Sequence, residues 1–486
     1  MLKQLRPLFP YLKKYRRGYF LGTLSVLLDN GTWILFPLAI GAAFDDMRGG
    51  ITRHKLLQWA LLLVAIAMVK GVFRFLTRWV VIGISRDIEF DLRNDLFRHL
   101  EQLSYSYYQR TRTGDIMAKA TNDLNAVRML LGPAIMYSAN TLVFTVGALA
   151  FMITISPRLT LYAFAPLPVV SIIVQYFGRR IHERFERIQA MFSDISARAQ
   201  ENFSGARIIR AFAQEDAEIA SFETANQEYI RRSLKLVRLM GMLWPTLEFL
   251  LGLAVILVLW LGGREVLQGR MTVGKFVAFN TYIVQLTWPV IALGWVINLF
   301  QRGTASMARI QEIFEQKPEI ADAPAIQAGR ALAPATAGDG DGAGSSPGAI
   351  PILGELEFRH LSFSYNGTQV LKDINLKIPA GSSLAIVGPT GSGKTTIVNL
   401  IPRVYDAPDG TVLLDGRPIR DYPLAWLRRN IGFVPQETFL FSDSVRENVA
   451  LGVENSTDDE VSRAAEGANI ARDIETFPER YNTLVG

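Results

Sequence analysis

The chain of 486 residues contains no cysteine. That one absence removes disulfide frameworks, thiolate metal sites and cysteine nucleophiles together. Histidine is nearly as scarce: His54, His99, His182 and His360 are scattered and make no metal-ligand spacing. Charge is sparse as well, at 20% of residues against 49% hydrophobic, and mean hydropathy is positive at +0.19. An ordinary soluble chain carries more charge, so part of this one is expected in lipid. Aromatic residues are not scarce, at 10%, which excludes a disordered coil.

Six windows are long and apolar enough to cross a hydrocarbon core that needs about 20 helical residues. They lie at about 19–42, 57–83, 129–155, 159–178, 242–263 and 272–300. The first has too long an apolar run, and no small-residue cleavage pattern after it, for a cleavable signal peptide; it reads as an anchor. Lys and Arg are unevenly placed between the windows. Residues 1–18, 84–128 and 179–241 hold 24 of them, against 6 in residues 43–56, 156–158 and 264–271. The positive-inside rule then puts the N-terminus, both long connections and everything after residue 301 in the cytoplasm. The net charge of +6 is thereby accounted for by topology, and nucleic-acid binding is not expected.

In the first long connection Ile84, Ile88, Leu92, Leu96, Leu100 and Leu103 recur every three or four residues, one apolar stripe on a helix continuing out of the second window. Two antiparallel legs in about 45 residues reach about 34 Å, with a break expected near Arg112–Asp115. The second connection repeats the plan, with a break expected near Ala213–Asp216. Within the second window, Lys70, Arg74 and Arg78 share one helical face. Ionisable groups in a span face a water-filled cavity or pair with one another, and three cations cannot pair among themselves. Either they wall a cavity attractive to anionic amphiphiles, or they snorkel or pair with a carboxylate such as Glu248.

Residues 321–353 are rich in Ala, Gly and Pro with no apolar period, a flexible linker by composition. Beyond it, short β-like runs at 356–365, 383–387, 411–414 and 431–434 alternate with helical stretches near 394–403 and 457–469. Such alternation predicts an α/β domain with a largely parallel sheet. Inside it Gly388-Pro389-Thr390-Gly391-Ser392-Gly393-Lys394-Thr395 matches G-x-x-x-x-G-K-[ST], placed after the apolar run Leu384–Val387 and ahead of a helix. The glycines let backbone N–H groups wrap a phosphate, Lys394 reaches β/γ oxygens, and the Thr395 hydroxyl suits Mg²⁺. The helix opening near Lys394 aims its N-terminus at the same anion. Thr396, next along, completes the expected nucleotide-contact set.

From Phe363-Ser364-Tyr365 through this loop to Val434-Pro435-Gln436 and Phe439-Leu440-Phe441, the sequence resembles the nucleotide-binding domain of ATP-binding cassette exporters. Six spans with two long cytoplasmic hairpins ahead of it look like one half-transporter of that family, closest to bacterial multidrug and lipid types. Arg112–Asp115 and Thr121-Asn122-Asp123 fit its first coupling region. The fold class implied is an all-α six-helix transmembrane domain, 1–320, followed by a partial α/β P-loop domain, 354–486. The resemblance implies that Tyr365 stacks on adenine, that Gln436 contacts Mg²⁺ and the attacking-water region, and that Lys394 and Gln436 serve catalysis. It implies ATP and Mg²⁺ as cofactors, and hairpin tips near Gly114 and Asp216 that dock into nucleotide-binding domains. It also implies a second half as partner, identical or not, and a place in the bacterial inner membrane. Amphiphilic drugs or lipids would be the cargo. No Leu-Ser-Gly-Gly-Gln, no apolar strand ending in Asp-Glu and no later switch histidine occurs in residues 1–486. The expectation is a half-transporter truncated within its nucleotide-binding domain, whose chain alone is hydrolytically inactive; the alternative is a membrane protein that binds ATP without turnover and regulates a partner or channel.

Overall fold

The computed structural model describes residues 2–322, 352–436, 438–453 and 455–486, so most of the expected linker lies outside the described residues. Among the described residues, six helices are long and apolar enough to cross a membrane: α1 (Arg16–Arg48), α2 (Arg53–Gln102), α3 (Thr113–Ile155), α4 (Pro157–Ser204), α5 (Glu215–Leu267) and α6 (Val273–Phe314). Each contains one of the six windows read from the sequence. At 1.5 Å per residue the 50 residues of α2 extend about 75 Å, far past a hydrocarbon core of about 30 Å. The apolar stripe explains why that helix does not end with the span. Ile84, Ile88, Leu92, Leu96, Leu100 and Leu103 are all buried, while Phe90 and Phe97 between them are exposed.

The chain divides into two compact units, residues 1–95 with 118–312, and residues 96–117 with 313–486. In the helical unit, backbones approach where side chains are absent. A Cβ on Gly132 of α3 would stand 2.5 Å from the Ser85 hydroxyl of α2, and one on Gly41 of α1 would stand 2.5 Å from the Gly274 carbonyl of α6. Small residues at such crossings substitute for a hydrophobic driving force that lipid cannot supply. Gly274 N–H also donates to Asp45 at 2.7 Å, and buried Tyr282 donates to the Ile34 carbonyl at 2.6 Å. Pro133 cannot donate and its ring crowds the preceding turn, and there α3 widens into a π-helical turn, Leu130–Ala134. The α3–α4 break is sharp because Ser156 caps the Leu159 N–H and Pro157 occupies the first helical position.

The first hairpin breaks twice, at Ser104 and at Thr111–Arg112, around a short helix Tyr105–Arg110; the second of these breaks falls at the start of the expected stretch, Arg112–Asp115. The second breaks after the short helix Ala206–Ala211, as the sequence indicates.

In the C-terminal unit a four-stranded sheet runs in the order β2-β1-β3-β4, with β1 Leu356–Tyr365, β2 Thr368–Ile378, β3 Val412–Leu414 and β4 Arg417–Pro418. Its core gathers Phe358, Leu361, Leu371, Leu400, Val412 and Leu427. Every described ladder is antiparallel, including the pair β5 (Asp443–Ser444) and β6 (Leu484–Val485), which corrects the expectation of a largely parallel sheet. The runs 383–387 and 431–434 belong to no described strand or ladder. Strand-like composition becomes a strand only beside a neighbour that accepts its backbone hydrogen bonds, and no described segment offers one to either run. Val387 and Val434, at the ends of the two runs, are each 89% exposed.

Candidate functional site

The glycine-rich loop joins the unpaired run 383–387 to helix α7, Lys394–Leu400. Two of its glycines occupy left-handed backbone, Gly391 at φ +83° and Gly393 at φ +90°. Gly393 is required on a second count: a Cβ there would stand 2.8 Å from Leu371 of β2. The loop is thus clamped onto the sheet at the point where the helix begins. Residues 388–392 are exposed and Lys394 is half-buried. The Lys394 ammonium donates to the carbonyls of Gly388 at 2.9 Å and Pro389 at 2.8 Å, folding back across the loop it follows. Ser392 N–H closes a turn onto Pro389 at 3.3 Å. The Lys394 ammonium, the backbone N–H groups of the loop and the hydroxyls that Thr390, Ser392 and Thr395 carry make a donor set that fits an anionic phosphate.

The residues singled out in sequence converge here. Thr395 donates toward the Gln436 side-chain oxygen at 3.5 Å, although 41 positions separate them. Gln436 is exposed at the end of the second unpaired run, 431–434. Two neutral oxygens side by side suit a hard cation whose remaining ligands come from phosphate oxygens and water. Among the described residues no group of three His, Cys, Asp or Glu could hold a metal by itself. Tyr365 ends β1, and its hydroxyl donates to buried Thr396 at 3.4 Å, tying the strand to the first turn of α7.

Tyr365 also belongs to an aromatic group that sequence reasoning missed. Its ring centroid is 4.9 Å from Phe363 and 5.0 Å from Tyr405, both edge-on. Tyr405 in turn meets Tyr105 of the first hairpin tip edge-on at 6.0 Å. Beside them lies a cavity of about 300 Å³ lined by Tyr365, Tyr405, Ser106, Gln109 and Glu319 among others. Arg110 donates to Asn366 at 3.2 Å, one residue past Tyr365. The tip residues gathered here are therefore 105–110; Gly114 has open space around it. The doublet Tyr107-Tyr108 and its neighbour Tyr105 were the available signal, an aromatic concentration at a turn where solvated residues are usual.

Comparison with known proteins agrees with this arrangement. The ABC transporter transmembrane region family matches residues 19–290, and the ABC transporter family matches residues 371–485. A probable multidrug resistance ABC transporter ATP-binding/permease protein of Bacillus subtilis is 31% identical over all of this chain and 80% of its own length. A multidrug resistance-like ATP-binding protein of Escherichia coli is 32% identical over 98% of this chain and 78% of its own. An ATP-dependent lipid A-core flippase of Syntrophus aciditrophicus is 35% identical over all of this chain and 76% of its own. The class defined by fold and site is a multi-pass membrane protein with an attached nucleotide-binding domain. The chain belongs to the ABC transporter family, in the half-transporter arrangement of one transmembrane region followed by one such domain.

Proposed function

We propose that this chain is one half of an ATP-driven exporter that moves amphiphilic drugs or lipids out of a bacterial inner membrane. The observation that carries the reading is the loop 388–395 with Lys394 folded over it, on a chain whose other unit offers six helices long enough to cross the bilayer. The division into a transmembrane part, 1–320, a linker, 321–353, and a nucleotide-binding part, 354–486, belongs to the same proposal. So do the cytoplasmic N-terminus and cytoplasmic nucleotide-binding domain, for which the 24 to 6 bias of Lys and Arg speaks. A second half, identical or not, is the partner, because half-transporters of this family work as pairs; the multidrug and lipid A-core relatives support the cargo class.

Roles within the site follow from its chemistry. Lys394 and the backbone of Gly388–Gly393 hold the phosphates, Thr390, Ser392 and Thr396 add contacts around them, and Tyr365 offers an aromatic face for adenine. Thr395 and Gln436 place two oxygens for Mg²⁺. The nucleotide supplies the phosphoanhydride whose binding and cleavage drive the cycle, and this chain's residues position it. The test is ATP-dependent efflux by the full-length protein, with candidate partner halves, in inverted vesicles. Lys394→Ala is expected to lower ATP affinity at least tenfold and to abolish efflux; unchanged binding and unchanged efflux would refute the assignment.

A further inference from the structure

A cavity of about 430 Å³ lies inside the helical unit, lined from α1, α2, α3 and α6. Lys70, Arg74 and Arg78 all line it. Their spacing of four residues puts them on one face of α2, so one wall carries three cations. Asp29 is the one carboxylate in the lining, which leaves the wall two positive charges in excess. None of the three cations is in an ion pair with a carboxylate among the described residues, and Glu248 does not line the cavity. Lys70 instead rests its ammonium over the Trp33 ring, 2.9 Å from the centroid, a cation–aromatic contact that leaves its N–H groups without an acceptor.

The lining also holds unmet acceptors. Asp29 Oδ1, Thr77 Oγ1 and Gln285 Oε1 are buried without a hydrogen-bond partner, and all three residues line this cavity. Asp29 is 8% exposed and Thr77 1%. Buried polar atoms left without partners at membrane depth are costly and are retained where something polar meets them. Cations set against unmet acceptors, beside the flat faces of Trp33 and Trp288, describe a head group that is anionic and also carries donors, attached to an apolar body.

We propose that this cavity binds the head of an anionic amphiphile, its anionic group against Lys70, Arg74 and Arg78 and its hydroxyl donors toward Asp29 and Gln285. The proposal rests on the exporter reading and narrows the cargo by charge. Asp29, the one carboxylate in the lining, offsets part of that positive charge and so weakens the pull on any incoming anion.

The test is equilibrium binding to the full chain in nanodiscs of neutral phosphatidylcholine, read by tryptophan fluorescence. Dodecyl phosphate, dodecyl glucoside and dodecyl trimethylammonium are the probes, and inorganic phosphate is the competitor. Dodecyl phosphate is expected to bind at least roughly tenfold more tightly than the glucoside, with the trimethylammonium weakest. The Lys70→Met/Arg74→Gln double variant loses that preference. Asp29→Asn, which keeps the shape of the side chain, strengthens dodecyl phosphate binding and serves as an independent reading if the double variant does not fold. Equal affinities for the three probes, or a preference that persists in a monodisperse double variant, overturns the proposal. Competition by inorganic phosphate at concentrations as low as those of dodecyl phosphate overturns the amphiphile and assigns the site to free phosphate. Binding needs no ATP, so a charge preference without efflux by the full-length protein would defeat the exporter reading alone. Efflux indifferent to head-group charge would defeat this proposal alone.

Discussion

Arg309, near the end of α6, forks its guanidinium onto Asp123 in the first leg of α3: Nε donates at 2.9 Å to one carboxylate oxygen while Nη2 closes on the other. Ser306, one turn earlier, donates to the same carboxylate at 2.8 Å. Burial works to raise the Asp123 pKa, but the hydrogen bonds from Arg309 and Ser306 outweigh it and hold the carboxyl below its ordinary value. The pair therefore contributes stability that is full above the unfolded carboxylate pKa of about 3.9 and is lost as pH falls through the lower folded value. Arg309 is half exposed, so the pair contributes modestly, about 1 kcal/mol, plus whatever Ser306 loses when left unpaired. Asp123→Asn is expected to lower the thermal midpoint in detergent at pH 7 by a few degrees. The gap from the parent protein should begin to narrow below about pH 4 and go on narrowing as pH falls through the lower folded value. A gap that does not narrow at all on acidification would mean that shape, not charge, sets the effect.

Tyr365 makes two separable contributions, a ring and a hydroxyl. The hydroxyl reaches Thr396 at 3.4 Å, a long hydrogen bond. An aromatic face against a base contributes about 1–3 kcal/mol in other stacking sites. Tyr365→Phe is thus expected to keep ATP affinity within about twofold, whereas Tyr365→Ala weakens it roughly tenfold or more. Fluorescent ATP-analogue titration of the two variants checks this. Equal affinities for Phe and Ala would show that the ring packs only against Phe363 and Tyr405 and does not meet adenine.

What the sequence disclosed depended on whether a signal was periodic. The stripe from Ile84 to Leu103 repeats over several turns, and burial follows it residue by residue. The loop 388–395 was legible because each glycine and the lysine answers to a local geometric need, visible at Gly393 in both its φ and its contact with Leu371. The parallel sheet was misjudged because pairing is a property of two segments: the runs at 383–387 and 431–434 have strand composition and no described neighbour. For the same reason the cationic face of α2 could be read from spacing, but not what stands opposite. Thr77 and Gln285 are ordinary polar residues until helices more than 200 positions apart in sequence face the same cavity.

Gln268 offers a test of orientation. It is itself exposed and follows α5 in the connection 268–272, which the cation bias assigns to the outside. The native chain has no cysteine, so Gln268→Cys introduces one unique thiol. A membrane-impermeant maleimide is expected to label it in intact cells, while a cysteine placed at Asp216 is labelled only after permeabilisation. The reverse pattern would invert the topology and place the nucleotide site outside.

The last expectation is that residues 1–486 hold ATP but do not turn it over at a meaningful rate. Thr395 and Gln436 supply two neutral oxygens, and among the described residues no group of three His, Cys, Asp or Glu could hold a metal ion by itself. Phosphoryl transfer depends on positioning and on charge stabilisation, and two neutral oxygens supply little of the latter, so a slow rate is expected. The exposed apolar runs ending at Val387 and Val434 flank the loop on both sides, and unpaired apolar strands of this kind favour association between chains. Phosphate release by the purified protein in lipid, set against a Lys394→Ala control, decides the matter, with monodispersity followed in parallel. The expected result is equal background rates for the two proteins, with ATP binding lost only in the variant. Turnover well above that background, abolished by Lys394→Ala, would show that the described residues already contain a sufficient catalytic set. Gln436 would then be the first residue to substitute, since its side chain is the one brought to Thr395 from outside the loop.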